Sequence, residues 1–185
     1  DEVYAAVIDG IIRSTNGFDT YEFVLGTPDN ISLFTEVAIT STGRVYATIS
    51  DDNGNNDDIG IWTSSNGINW QEIEVPTGVP TRRYERTTIG ISPSNENIVY
   101  FLRTDGDDHY LMRYNAANGS IENRSSALPA QGGEVGDFTT QGSYDQFVTV
   151  HPDNSDIVYL GGANLWRSTN GFSNENATDW IGGYS

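Results

Sequence analysis

The chain has no cysteine and no lysine among its 185 residues. Without cysteine there can be no disulfide, no thiolate metal site and no thiol nucleophile. Its nine basic residues are all arginine and face 26 acidic ones, for a formal charge of −17. A surface so acidic repels phosphate backbones and excludes nucleic acid as a partner class. Long apolar runs are missing as well. Nothing approaches the roughly 18 consecutive residues of a membrane-spanning helix, and no stretch of ten residues carries a helical apolar stripe. Histidine is scarce: His109 and His151 are too few and too far apart in sequence for a zinc reading, and His151, inside a Val-His-Pro connector, reads as structural. What remains fits a soluble, secreted or cell-surface protein. Any export signal is expected outside the sequence in hand.

What the chain does have is repetition. Four of the five Asn-Gly pairs recur in register, at Asn16-Gly17, Asn66-Gly67, Asn118-Gly119 and Asn170-Gly171, at intervals of 50, 52 and 52 residues. Upstream of each pair stands a Val-Tyr pair: Val3-Tyr4, Val45-Tyr46, Val99-Tyr100 and Val158-Tyr159. The hexapeptide RSTNGF occurs twice, as 13–18 and as 167–172. The connectors ISPSNENIVY and VHPDNSDIVY share one form. Landmarks repeating in register at this period indicate a propeller or a solenoid.

Each unit reads as four short strands bounded by Gly, Pro, Asn or Asp; in the second unit these are FTEVAIT, RVYATIS, GIWTS and WQEIEV. Asn-Gly between apolar runs marks a tight hairpin, because both residues tolerate positive φ. Four antiparallel strands per 50-residue repeat predict an all-β fold, a β-propeller fragment of about four blades. Residues 1–185 are expected to form one propeller region, with blades at about 1–28 (partial), 33–76, 86–128 and 144–185 (partial). The partial end units imply a larger propeller of six to eight blades, so the remaining blades of the same chain are expected partners.

Ser14-Thr15-Asn16-Gly17 continuing to Tyr21, Ser64-Ser65-Asn66-Gly67 continuing to Trp70, and Ser168-Thr169-Asn170-Gly171 resemble Asp-box repeats, also called bacterial neuraminidase repeats. That pattern is Ser-x-Asp-x-Gly-x-x-Trp, with asparagine here in the Asp position. The third unit's Tyr114-Asn115-Ala116-Ala117-Asn118-Gly119 lacks the serine, and the fourth is stretched by SNENATD before Trp180. Sialidases, xyloglucan-cleaving endoglucanases, sortilin-type receptors and photosystem assembly factors carry such repeats, so the resemblance implies the fold far more than an activity. The last unit is similar to exported cell-surface propellers of Bacteroidetes-type bacteria that use type IX secretion. In such repeats the box is a turn device, so its residues are not counted as a site.

In a four-stranded meander the boxes lie on one side; the second-to-third loops and the connections between blades lie on the other. A glycan or protein partner is expected at that second face. Four groups of residues stand there. Arg82, Arg83 and Arg86 cluster around Tyr84, and guanidinium forks suit carboxylates. Pairing with neighbouring Asp and Glu is the simpler reading. Asp105 in FLRTDGDDHY resembles the Arg-Thr-Asp segment of xyloglucan-cleaving propellers, but the equivalent YLGGANLW has no carboxylate, and a glycosidase needs two. Tyr144 and Asp145 stand at the entry to an inner strand, where they are expected either to point toward the central channel as a ligand position or to make a structural hydrogen bond. Asp51, Asn53, Asn55 and Asp57 alternate as in calcium loops, where six to eight oxygens gather at about 2.3–2.6 Å. No glutamate stands at the twelfth position, which excludes an EF-hand, and an ordinary polar hairpin is the competing reading. Calcium is the one cofactor the sequence raises. Two functions follow: a non-catalytic binding module, or part of a glycoside hydrolase of sialidase-like or endoglucanase-like type.

Overall fold

A computed structural model describes residues 2–50, 58–131 and 137–183. Among the described residues fifteen strands, β1 to β15, form four antiparallel sheets, and within each sheet neighbouring strands are consecutive in the chain. The first has three strands, β1 (Val3–Val7), β2 (Gly10–Ser14) and β3 (Glu22–Gly26). The second runs β4 (Thr35–Ile39), β5 (Val45–Ile49), β6 (Gly60–Ser64) and β7 (Gln71–Glu72). The third runs β8 (Arg86–Ile91), β9 (Ile98–Asp105), β10 (Asp108–Asn115) and β11 (Ser120–Asn123). The fourth runs β12 (Phe147–Val150), β13 (Val158–Gly161), β14 (Leu165–Ser168) and β15 (Thr178–Gly182).

The sheets repeat in register as well as in order. Val3 pairs with Ser14, Val45 with Ser64, Val99 with Tyr114 and Val158 with Ser168. One residue on, Tyr4 pairs with Arg13, Tyr100 with Arg113 and Tyr159 with Arg167. Each of these arginines then meets an acid from the next strand: Arg13–Glu22 at 2.9 Å, Arg113–Glu122 at 3.8 Å and Arg167–Asp179 at 2.8 Å. Three of the nine arginines therefore hold one structural position. Such exposed pairs fix register more than they add stability.

The Asn-Gly turns show why serine precedes them. In the first sheet Ser14 Oγ accepts the amide of Phe18 at 2.9 Å and that of Asn16 at 3.2 Å, while donating to Asn16 Oδ1. Ser168 does the same for Phe172 at 2.9 Å and Asn170 at 3.3 Å. Ser64 accepts from Gly67 at 2.9 Å. One buried hydroxyl thus satisfies amides that the reversing chain takes away from the ladder. In the turn without serine, Gly119 N–H donates to Asn115 O at 2.8 Å, and the Asn115 and Asn118 side chains accept the amides of Ala117 and Ser120, each at 3.0 Å. Gly17, Gly67, Gly119 and Gly171 all have φ between 64° and 73°, where a side chain is strained.

The chain divides into two compact units. The first, residues 1–74 and 80–87, has a core of Ile11, Leu25, Ala47, Ile49 and Ile59, flanked by Tyr4, Trp62 and Trp70. The second, residues 75–79 and 88–185, packs Tyr100, Leu102, Leu111, Val158, Leu160 and Phe172 together with Phe138 and Leu128.

Within each unit, successive sheets are joined by the same contact. Tyr4 Oη lies against Gly67, where a methyl group would overlap the hydroxyl. Tyr100 Oη stands 2.5 Å from where a Cβ on Gly171 would be, and donates to Ser155 O at 3.1 Å. The tyrosine of one repeat therefore seats on the glycine turn of the following one. The two sequence landmarks are packing partners.

Candidate functional site on the loop face of the second unit

The β9–β10 hairpin turns at Gly106-Asp107, with Asp105 and Asp108 paired across it. Just inside the turn, His109 is buried at 3% exposure. Its Nδ1 lies 3.0 Å from Gln131 Oε1 and its Nε2 lies 2.9 Å from Thr140 Oγ1. Gln131 Oε1 also accepts the His109 amide at 2.6 Å, so that oxygen is an acceptor and Nδ1 carries the proton. Nε2 then accepts from the Thr140 hydroxyl. The ring meets Phe138 edge-on with centroids 4.8 Å apart. Burial holds the imidazole pKa below its ordinary value, favouring the neutral form that this bonding requires.

Thr140 is the hub of the loop above. Its Oγ1 accepts the Ser143 amide at 3.3 Å, and its carbonyl accepts the Asp145 amide at 3.2 Å. Gln141, Gly142 and Ser143 take three successive positive φ values, 51°, 68° and 64°. Two of them are not glycine, and backbone of this kind persists only where surroundings enforce it. Enforcement comes from both ends, since Ser143 and Gln146 are buried. Gln146 Oε1 accepts from Thr104 Oγ1, and its Nε2 donates to Leu102 O and, at 3.4 Å, to Thr88 Oγ1. The β13–β14 hairpin seals the same end: Asn164 Nδ2 donates to Asp137 O at 3.0 Å and Ala163 N to Thr139 O at 2.9 Å.

Tyr144 and Asp145 stand between these two buried anchors and both face solvent, Tyr144 at 78% exposure. Asp105 follows Thr104 directly and Asp145 precedes Gln146 directly. The two acids thus flank opposite ends of the Thr104–Gln146 hydrogen bond.

The arginine cluster belongs to the first unit. Tyr84 is completely buried, its hydroxyl donating to Ile49 O at 2.8 Å. Arg86 lies 5.4 Å above the Phe34 ring, a cation–π geometry. Arg82 and Arg83 are exposed within a bend, with Arg83 at φ 60°. Asp51, Asn53, Asn55 and Asp57 lie outside the described residues. Among the described residues, no group of three or more His, Asp or Glu side chains is placed to hold a metal ion. His151 Nδ1 accepts the Asp153 amide at 3.1 Å, a bond local to its connector. Sequence reasoning passed over Gln131, Thr140 and Gln146, because single polar residues in loops carry no pattern that marks them as buried.

No family model matches the chain, and no curated protein does. Among solved structures, the crystal structure of a GH74 enzyme from Niastella koreensis is similar, with a TM-score of 0.62 and 17% identity. The match covers 97% of this chain and 27% of that one, so the chain spans about a quarter of the enzyme's length. At this identity the likeness shows the fold, and the four antiparallel meanders are blades of a β-propeller.

Proposed function

We propose that the chain is a non-catalytic binding module made of Asp-box β-propeller blades, and that it takes a glycan or a protein at the loop face opposite the Asn-Gly turns. The observation that carries this reading is Tyr144, a largely exposed aromatic ring on a backbone locked at both ends by buried residues. An aromatic held this way binds without losing much conformational freedom, which is how exposed tyrosines serve as contact residues. Asp145 and Asp105 supply acceptors for hydroxyl or amide donors. On the first unit, Arg82, Arg83 and Arg86 offer forks for carboxylates. The acidic, cysteine-free composition and the form of the last repeat fit an exported bacterial surface protein.

A glycan and peptide array probed with the chain, with and without calcium, tests this reading. Tyr144→Ala is expected to weaken binding about tenfold or more without changing the melting temperature. An unaltered array profile for that variant would defeat the proposal, and a calcium-dependent signal that Asp51→Asn or Asp57→Asn removes would assign the cation to the loop at 51–57. The second reading is part of a glycoside hydrolase, favoured by the GH74 neighbour and by the two acids flanking the Thr104–Gln146 bond. Hydrolysis of xyloglucan or sialosides that Asp105→Asn abolishes would establish that reading in place of the first.

A further inference from the structure

Glycine lets neighbouring groups approach its backbone closely, so in an Asn-Gly pair the glycine amide nitrogen can attack the preceding side-chain Cγ. A bond forms between that nitrogen and Cγ, the Cγ–Nδ2 bond breaks, and ammonia leaves with the amide proton. Water then opens the cyclic imide at either carbonyl, leaving aspartate or isoaspartate. In a folded chain the step requires the asparagine side chain to swing onto the next amide. Whatever holds that side chain slows it.

The four in-register pairs differ in this respect. Asn16 Oδ1 accepts from Ser14 Oγ at 2.9 Å and from the Thr20 amide at 3.0 Å, and its Nδ2 donates to Thr20 Oγ1 at 3.0 Å. Asn66 Oδ1 accepts from Ser64 Oγ at 3.2 Å and from the amides of Ile68 and Asn69 at 3.0 and 2.9 Å. Asn170 Oδ1 accepts from Ser168 Oγ at 2.9 Å and from the Ser173 amide at 3.2 Å, and its Nδ2 donates to Asn174 O at 3.4 Å. Each of these side chains is tied by three bonds. Among the described residues, that of Asn118 makes one, accepting the Ser120 amide at 3.0 Å. Tyr114 stands at the register position that serine holds in the other three sheets, so the serine bond is missing.

The geometry points to Asn118 as a site of deamidation, the one described Asn-Gly pair whose side chain is held by a single bond. Gly119 N–H must first leave Asn115 O, but Gly67 and Gly171 are held likewise, by Ser64 Oγ at 2.9 Å and by Asp156 O at 2.7 Å. Gly17 N–H has no acceptor among the described residues, which ranks Asn16 second: its nitrogen is available while its side chain is held at both ends. Two additional bonds to release slow the closure by about tenfold or more. The effect falls on the tip of the β10–β11 hairpin, where Asn115 and Ser120 form the closing rung. The imide has no Gly119 N–H to give Asn115 O, and isoaspartate inserts a methylene into the main chain there. The serine of the other three turns therefore preserves asparagine as well as shaping the bend.

Peptide mass mapping tests this on the folded chain in mildly alkaline buffer, which helps ionise the attacking amide. Cleavage after arginine places Asn16, Asn66, Asn118 and Asn170 in four separate peptides, with Asn118 in 114–124. The fifth pair, Asn53-Gly54, lies outside the described residues and outside this ranking. Asn118 is expected to gain the mass of an amide-to-acid exchange about tenfold faster than the other three, or more. In concentrated urea, where the turn bonds are gone, the four rates should converge. Thr20→Val replaces the hydroxyl that holds Asn16 Nδ2 by a methyl group; it should speed Asn16 several-fold and leave Asn118 unchanged. Equal rates at the four sites of the folded chain would overturn the proposal, as would Asn16, Asn66 or Asn170 leading. So would a lead of Asn118 that persists in urea, since flanking sequence would then be its cause. An Asn16 rate that Thr20→Val fails to move would count against it in the same way.

Discussion

The two RSTNGF segments share their serine bonds and differ in their neighbours. In both, a buried serine accepts the phenylalanine amide at 2.9 Å and donates to the asparagine side chain. In the second unit the turn is pressed against Tyr100, and Phe172 joins the core; in the first, Phe18 and Gly17 have no such cover. Local chemistry decides the shape of the turn. Packing decides what the turn is worth.

The widest gap between the two copies is expected at phenylalanine. Phe172→Ala should destabilise the second unit by about 3–4 kcal/mol through loss of buried area and the cavity left behind. Phe18→Ala should change the dilute chain by less than about 1 kcal/mol. Urea denaturation of both variants checks this, and equal shifts would erase the distinction. Glycine should follow with a smaller gap. Gly171→Ala meets both a left-handed φ of 64° and the Tyr100 hydroxyl, for roughly 2–4 kcal/mol in all. Gly17→Ala meets only the backbone strain, about 1–2 kcal/mol. At serine the gap should close. Ser14→Ala and Ser168→Ala each strand the same amides and should cost about 1–2 kcal/mol apiece; a large difference between them would mean that the turns are not equivalent.

A last and smallest contrast separates the units by pH. Both histidines belong to the second unit, and only His109 is buried. Its folded pKa lies below the unfolded one, so near pH 5–6 the unfolded chain binds the extra proton. The stability from the neutral ring is therefore complete above about pH 6.5 and is lost as pH falls below that value. Melting curves across this range should show a decline in wild type that His109→Gln lacks.

The period, the strand order within each sheet and the four turns were legible because each rests on local pattern: alternation, Asn-Gly, and the Val-Tyr pair. The seat of Tyr4 on Gly67 and of Tyr100 on Gly171 was not, since it joins residues 63 and 71 positions apart in different repeats. On the loop face, Tyr144 and Asp145 were singled out from their place before an inner strand, and the structure shows both facing solvent. What locks them did not show in the sequence. Gln146 and Thr140 are buried polar residues, and only the partners that arrive from Thr104, Leu102 and His109 make that burial tolerable. Tyr84 illustrates the reverse. Flanked by Arg83, Glu85 and Arg86 it reads as a surface residue, but its ring is interior and its hydroxyl completes the Ile49 carbonyl.

Amide hydrogen exchange at Phe18 and Phe172 tests the central comparison most directly, because both amides donate to a serine oxygen at the same distance. Phe172 should exchange slowly and Phe18 quickly. Equal protection of the two amides would contradict the account.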